Sequence, residues 1–174
     1  MSMATRKYNH PGAWFAALSL LALASCLRPP DYPIEPVVEF VGLTRDTMIQ
    51  GSINEDSISI VISFTDGDGD IAFPADDTTI SVILTNIETG VRATGYKVDP
   101  IDEAGVENGI RGEFRLTFNT TCCDYPPYVT DAFPCEPSRQ YPLDTLLLEA
   151  HIVDRAGNES NRAPIAPIYL RCDR

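Results

Sequence analysis

Apolar and polar residues alternate in several short stretches of the chain, a period of two that is typical of half-buried β-strands. The clearest stretch is 57–64, where Ile58, Ile60, Ile62 and Phe64 fall on one face, and serines and a valine fall on the other. Turn-forming residues separate the stretches, and none shows a convincing helical period. The pattern predicts strands at residues 37–43, 57–64, 79–85, 91–98, 110–118, 146–154 and 165–171.

These stretches predict an all-β fold over residues 37–174, an antiparallel immunoglobulin-like sandwich of about seven strands. A fibronectin-III-like or cadherin-like arrangement is preferred to a closed barrel. The hallmark tryptophan of true immunoglobulin domains is missing, since the single Trp14 precedes the predicted strands.

The first 25 residues predict a signal peptide rather than part of the fold. Arg6 and Lys7 precede an apolar run at 13–23, which is too short to span a bilayer as a helix. The run ends in Leu23-Ala24-Ser25-Cys26, which resembles the lipobox of bacterial lipoproteins. The resemblance implies cleavage before Cys26, diacylglycerol on its thiol, and anchorage in the cell envelope, expected at the outer membrane. The alternative is an ordinary secretory signal.

Removing this leader leaves 149 of the 174 residues and changes the formal charge from −12 to −14, because Arg6 and Lys7 are lost with it. An acidic surface repels phosphate backbones, so nucleic-acid binding is not expected, whereas cations and basic partners are favoured. Four prolines within residues 26–36 predict a stiff, extended tether between the lipid and the domain.

The mature chain keeps four cysteines besides Cys26, and an even number in an exported chain predicts two disulfides. These cysteines are Cys122, Cys123, Cys135 and Cys172. A bond between the neighbours Cys122 and Cys123 would be strained, so each is expected to pair separately with Cys135 or Cys172. The rival four-cysteine zinc site lacks paired C-x-x-C spacing. The bonds would hold an insertion at residues 119–145.

Three carboxylates alternate with two glycines in Asp66-Gly67-Asp68-Gly69-Asp70, directly after the strand at 57–64. With Asp77 in the twelfth position, the spacing resembles the first half of an EF-hand or dockerin-type calcium loop. Ile71 stands where the EF-hand has glycine, and the flanks are strands, so a helix–loop–helix is rejected. The acidic loops that share calcium at one end of cadherin-like sandwiches are a closer resemblance. The alternatives are a solvated Asp–Gly turn here and a plain hairpin at 154–161.

The predicted strand order brings three acidic connections, 66–77, 99–109 and 154–161, to one end of the sandwich. Their oxygen atoms are expected to bind calcium as a cofactor, with Asp102 or Glu103 as further contributors. The predicted ligands are Asp66, Asp68, Asp70, Asp77, Asp154, Asn158 and Glu159.

No enzymatic activity is expected from the sequence. His151 is the single histidine of the mature chain, and alternation with Leu148, Ala150 and Ile152 predicts that it lies on the exposed face of its strand. No nucleophile-elbow motif accompanies this histidine. The many carboxylates leave a hydrolase as a third alternative.

The insertion contains Tyr125, Tyr128 and Phe133 among prolines. These rings predict either an exposed recognition surface for a protein or glycan, or a cap on the core. The whole sequence therefore predicts a lipid-anchored, calcium-stabilised structural or adhesive module. The alternative is an accessory subunit of a surface complex that binds carbohydrate or protein.

Overall fold

The structure is a computed structural model that describes residues 31–52, 55–100 and 109–173. The compact unit that holds these residues begins at Asp31. The signal peptide, Cys26 and the first part of the tether lie outside the described residues, and so do Asp102 and Glu103.

Every regular element in the described residues is a β-strand, which confirms the prediction of an all-β fold. The ten strands are β1 (Val37–Leu43), β2 (Thr47–Ile49), β3 (Ser57–Asp66), β4 (Val82–Asn86), β5 (Arg92–Tyr96), β6 (Ile110–Asn119), β7 (Leu143–Leu146), β8 (Leu148–Ile152), β9 (Ala163–Pro164) and β10 (Ile168–Arg171). All seven predicted stretches contain a strand, and the short β2, β7 and β9 were not predicted.

The strands form three small sheets around one core. The first sheet has the order β1-β3-β6, and the second has the order β5-β4-β8-β9, with antiparallel neighbours throughout. The third sheet, β2-β10-β7, contains the one parallel pair of the described strands, between β2 and β10. The result is the predicted β-sandwich, with an extra small sheet.

The core combines inward residues of the first two sheets with apolar residues of β2 and β10 in the third sheet. Ile60 and Ile62 of β3, and Leu148 and Ile152 of β8, have no exposed surface. Burial of each such side chain contributes about 1.5–3 kcal/mol relative to exposure. The alternation that predicted the strands is therefore the alternation that builds the core.

The pairing of β3 with β6 defines the two ends of the sandwich. Asp66 pairs with Ile110 at one end, and Ser57 pairs with Asn119 at the other. A strand of this length separates the ends by about 30 Å. We call them the acidic end, at Asp66, and the disulfide end, which follows Asn119.

The last residues of the predicted tether pack against the acidic end. The carbonyl oxygens of Tyr32 and Pro33 lie only 2.5 Å from where a side-chain carbon on Gly67 would stand. Pro36 is buried as well. A residue other than glycine at position 67 would therefore push this segment away from the domain.

At the disulfide end, Cys122 is bonded to Cys135 and Cys123 to Cys172, with Cα–Cα distances of 4.5 and 6.1 Å. The two neighbours therefore pair separately. The buried side chain of Gln50 links the bonded segments. Its Nε2 donates to the carbonyl oxygen of Cys172 at 3.0 Å, and its Oε1 accepts from the backbone N–H of Cys123 at 3.1 Å.

The prediction that His151 is exposed was wrong, since only 6% of its surface is accessible. Alternation assigned the face correctly, but β8 lies between β4 and β9, where a side chain has neighbours on both sides. Burial, followed by the charge of Arg162, lowers the pKa of His151.

Candidate metal centre

Asp66 and Asp154 each occupy the next inward-facing position after the core residues of a strand, one at the end of β3 and the other just beyond β8. Asp66 follows Phe64 on the inward face of β3, and Asp154 follows Ile152 just beyond β8. Their accessible fractions are 0% and 2%. β3 and β8 belong to different sheets, and the two carboxylates meet at the acidic end of the core.

Asp68 and Asp70 complete a cluster of four carboxylates. Each of the four residues contributes one oxygen atom, and these oxygens lie within 4.8 Å of one another. Gly69 between them has a φ of 71°, a left-handed conformation that glycine adopts without strain. The loop after β3 therefore folds back over Asp66, the last residue of that strand.

Hydrogen bonds hold the cluster together and join the two loops that form it. The Oδ2 of Asp66 accepts from the backbone N–H of Asp70 at 2.9 Å. The Oδ2 of Asp70 accepts from the N–H of Ala156 at 3.1 Å, and its backbone oxygen accepts from the N–H of Arg155 at 3.2 Å. The loops are thus fixed relative to each other by backbone donors.

Asp154 is oriented by its own turn. Its Oδ1 accepts from the backbone N–H of Asn158 at 2.7 Å, and its Oδ2 accepts from the side-chain amide of Asn158 at 2.8 Å. Gly157 closes this turn with a φ of 88°. Each carboxylate oxygen has a second lone pair, so these bonds leave Asp154 able to bind a cation.

Two oxygens of the cluster are buried without any hydrogen-bond partner, Oδ1 of Asp66 and Oδ1 of Asp70. Among the ion pairs of the described residues, none involves a member of the cluster. A buried acceptor that loses water and gains no partner costs about 1–3 kcal/mol, and more when it is charged. The cluster is therefore short of positive charge.

The raised pKa values of Asp66 and Asp70 agree with this lack of positive charge. Burial, together with the nearby charges of Asp68, Asp70 and Asp154, raises the pKa of Asp66 to about 6, although the backbone N–H of Asp70 opposes the shift. Burial and the charges of Asp154 and Asp68 also raise the pKa of Asp70. Near neutral pH, ionisation of the cluster works against the fold unless a cation balances it.

The donor set suits a hard divalent cation. Calcium takes six to eight oxygen ligands at about 2.3–2.6 Å, so ligands on opposite sides of the ion lie up to about 5 Å apart. The 4.8 Å spread of the four oxygens fits that geometry. Zinc prefers histidine and cysteine, and neither residue type contributes to this cluster.

Three other predicted ligands have different roles in the structure. The carboxylate of Asp77 accepts from the N–H and hydroxyl of Thr79 at 2.8 and 2.6 Å, and these bonds lower its pKa although burial opposes them. Glu159 lies 4.0 Å from Arg162, with 63% of its side chain exposed. Asn158 supports Asp154 through its amide nitrogen.

The three predicted recognition residues fall into two groups. Tyr125 packs edge-on against Tyr141, with ring centroids 5.9 Å apart, and its hydroxyl accepts from Gln50 at 2.8 Å. Tyr128 and Phe133 are 69% and 74% exposed. Tyr125 therefore belongs to the scaffold of the insertion, and the other two rings face solvent.

No protein-family model, curated protein or solved structure matches this chain. Among the described residues, no helix is long and apolar enough to cross a membrane.

Proposed function

We propose that this protein is a lipid-anchored, extracytoplasmic β-sandwich that binds calcium at its acidic end and serves as a structural or adhesive module. The observation that carries the calcium site is Asp66. Its carboxylate has no exposed surface, one of its oxygens has no hydrogen-bond partner, and it lies in a cluster of four carboxylates.

Calcium would turn a destabilising cluster into a stabilising one. A cation that binds the folded state, and does not bind the unfolded chain, adds stability in proportion to the logarithm of its concentration over Kd. In the unfolded chain, Asp154 is far along the sequence from Asp66, Asp68 and Asp70. The folded domain alone presents all four, so calcium binding favours folding.

The ion would also stiffen the junction between anchor and domain. Tyr32 and Pro33 rest on Gly67, directly beside Asp66 and Asp68. The lipobox-like sequence before Cys26 supports an anchor only a few residues upstream of this contact. A bound ion that fixes the loop under residues 32 and 33 would hold this last part of the tether against the domain.

The sheet composition supports the immunoglobulin-like assignment. Strands β1, β3 and β6 share one sheet, and β4, β5, β8 and β9 share the other. This grouping corresponds to strands A, B and E facing strands C, C′ and F of the immunoglobulin-like sandwich, whereas β10, the last predicted strand, pairs with β2 and β7 in the third sheet. Many cell-surface domains share this sandwich architecture.

The direct test is calcium titration of the full-length protein in non-ionic detergent, by calorimetry and by thermal unfolding with calcium or chelator. We expect binding, a higher Tm with calcium, and loss of the same ion in Asp68→Ala and Asp154→Ala. The matched control is Asp76→Ala, an exposed acid of the same loop outside the cluster. Identical midpoints with calcium and chelator, or two variants that each lose a different ion, would contradict the shared site.

A further inference from the structure

The loop closed by Cys122 and Cys135 is held in one conformation by more than its disulfide. The Oδ1 of Asp131 accepts from the hydroxyl of Ser138 at 2.6 Å, and its Oδ2 accepts from the backbone N–H of Arg139 at 2.8 Å. The backbone N–H of Thr130 donates to the side chain of Gln140 at 3.1 Å. A loop fixed in this way loses little entropy when it binds a partner.

This loop presents two of its three aromatic side chains to solvent. Tyr128 and Phe133 are the two most exposed aromatic side chains among the large hydrophobic residues of the described chain, at 69% and 74%. A cleft of about 600 Å³ lies within the same loop, lined by residues that include Phe133 and Val129. Rigid exposed aromatics beside a cleft are typical of binding hot spots.

The charged side chains that line this cleft are all negative. Asp124, Asp131 and Glu136 line the cleft and are exposed, and the segment 122–136 contains no lysine or arginine. A partner that covers the rings must therefore place its own groups among three carboxylates. Cationic groups satisfy this requirement, and they also bind favourably over aromatic faces.

We propose that the disulfide loop binds a basic, partly apolar segment of a partner protein. Arginine or lysine side chains of the segment pair with Asp124 and Glu136, and its apolar side chains pack on Tyr128 and Phe133. The site goes beyond the calcium function, because it lies at the disulfide end, about 30 Å from the carboxylate cluster. Peptide binding is therefore expected to be the same with calcium and with chelator.

The test uses labelled, end-blocked peptides and fluorescence polarisation with the full-length protein in non-ionic detergent. One peptide alternates arginine with leucine, a second alternates arginine with serine, and a third alternates glutamate with leucine. We expect the arginine–leucine peptide to bind most tightly. Loss of either its charge or its apolar groups should weaken binding by about tenfold or more.

Two variants locate the site on the protein. The double variant Tyr128→Ser/Phe133→Ser should weaken the arginine–leucine peptide by about tenfold or more. Its matched control is Val41→Ser, which removes a 52% exposed apolar side chain from β1.

The double variant Asp124→Asn/Glu136→Gln should also weaken binding. Its control is Glu39→Gln/Glu88→Gln, two exposed acids elsewhere on the surface.

Several results would overturn the proposal. Equal binding of the peptide to both double variants and to their controls would show that it is attracted by the overall acidic charge. Tighter binding of the arginine–serine peptide would exclude the aromatic contacts. Binding of neutral oligosaccharides, lost in Tyr128→Ser/Phe133→Ser, would assign the loop to glycans instead. Thermal unfolding of each variant establishes that it is folded before its affinity is compared.

Discussion

The acidic end and the disulfide end of the sandwich fix the chain that leaves the core by different interactions. At each end, chain that leaves the core must be fixed without the support of a long sheet. At the disulfide end, two covalent bonds and the buried Gln50 fix it, and all partners belong to the chain. At the acidic end, Asp66 and Asp154 occupy inward positions and two carboxylate oxygens have no partner. The disulfide end is closed by bonds within the chain, whereas the acidic end presents a cluster of four carboxylates that could hold a metal ion.

The largest expected effect separates the two disulfides. Cys123→Ala/Cys172→Ala opens a loop with a sequence separation of 49 residues, and Cys122→Ala/Cys135→Ala opens one of 13. On the chain-entropy account, the first change costs about 4 kcal/mol of unfolding free energy and the second about 3 kcal/mol. Urea unfolding of both variants in calcium measures the difference. A greater loss in Cys122→Ala/Cys135→Ala would mean that the outer loop, rather than the link to β10, supports this end.

The next largest effect is expected for Asp66→Asn, whose effect on stability should have opposite signs in chelator and in calcium. In chelator, Asp66→Asn removes a buried, unbalanced charge, so the variant should be more stable than the wild type by up to about 3 kcal/mol. In saturating calcium, the same change removes a ligand, so the variant should be less stable than the wild type. Thermal unfolding under both conditions measures this. A variant that is less stable in both would show that the Asp66 carboxylate stabilises the acidic end without an ion.

The pH dependence of this difference follows from the raised pKa of Asp66, about 6 against the ordinary value of 3.8. The folded state holds this proton more tightly than the unfolded chain does. Without calcium, its contribution is therefore complete below about pH 4 and is lost as pH rises through about 6. The stability of the wild type minus that of Asp66→Asn should fall over this window in chelator. A flat difference would contradict the burial of an unbalanced carboxylate.

The smallest effect is expected at Asp77. Its carboxylate is held by Thr79, outside the cluster, so Asp77→Asn should leave calcium affinity unchanged within about twofold. Asp68→Asn, which changes an exposed acid of the same connection, should lower the affinity by about tenfold or more. Calorimetry on the pair compares one lost charge inside the cluster with one outside it. Equal losses would mean that overall charge, rather than ligation, attracts the ion.

The sequence predicted all four carboxylates of the cluster, because each stands in or beside an acidic connection that follows a predicted strand. The structure adds that Asp66 continues the alternation of β3 and Asp154 that of β8, so both side chains face inward. Strand order then placed the loops of Asp66 and Asp154 at one end. Asp77 was assigned by its twelfth-position spacing alone. In the structure, Asp77 lies outside the cluster of four carboxylates and forms its own turn with Thr79.

The sequence did not predict the burial of His151 or the pairing of the shortest strands. His151 shares its parity with exposed strand positions, yet neighbours on both sides of β8 cover it. Strands β2 and β9 have only three and two residues, too few to show a period. The parallel pairing of β2 with β10 joins segments far apart in the chain, so no local signal marks it.

By itself, the sequence determined the positions of seven of the ten strands and the separate pairing of the two neighbouring cysteines. These depend on local alternation, composition and chain geometry. The tertiary structure decided which cysteine each neighbour bonds, which aspartates share one cluster, and which aromatic rings face solvent. These depend on distances between segments remote in the chain, which become defined only when the core is packed.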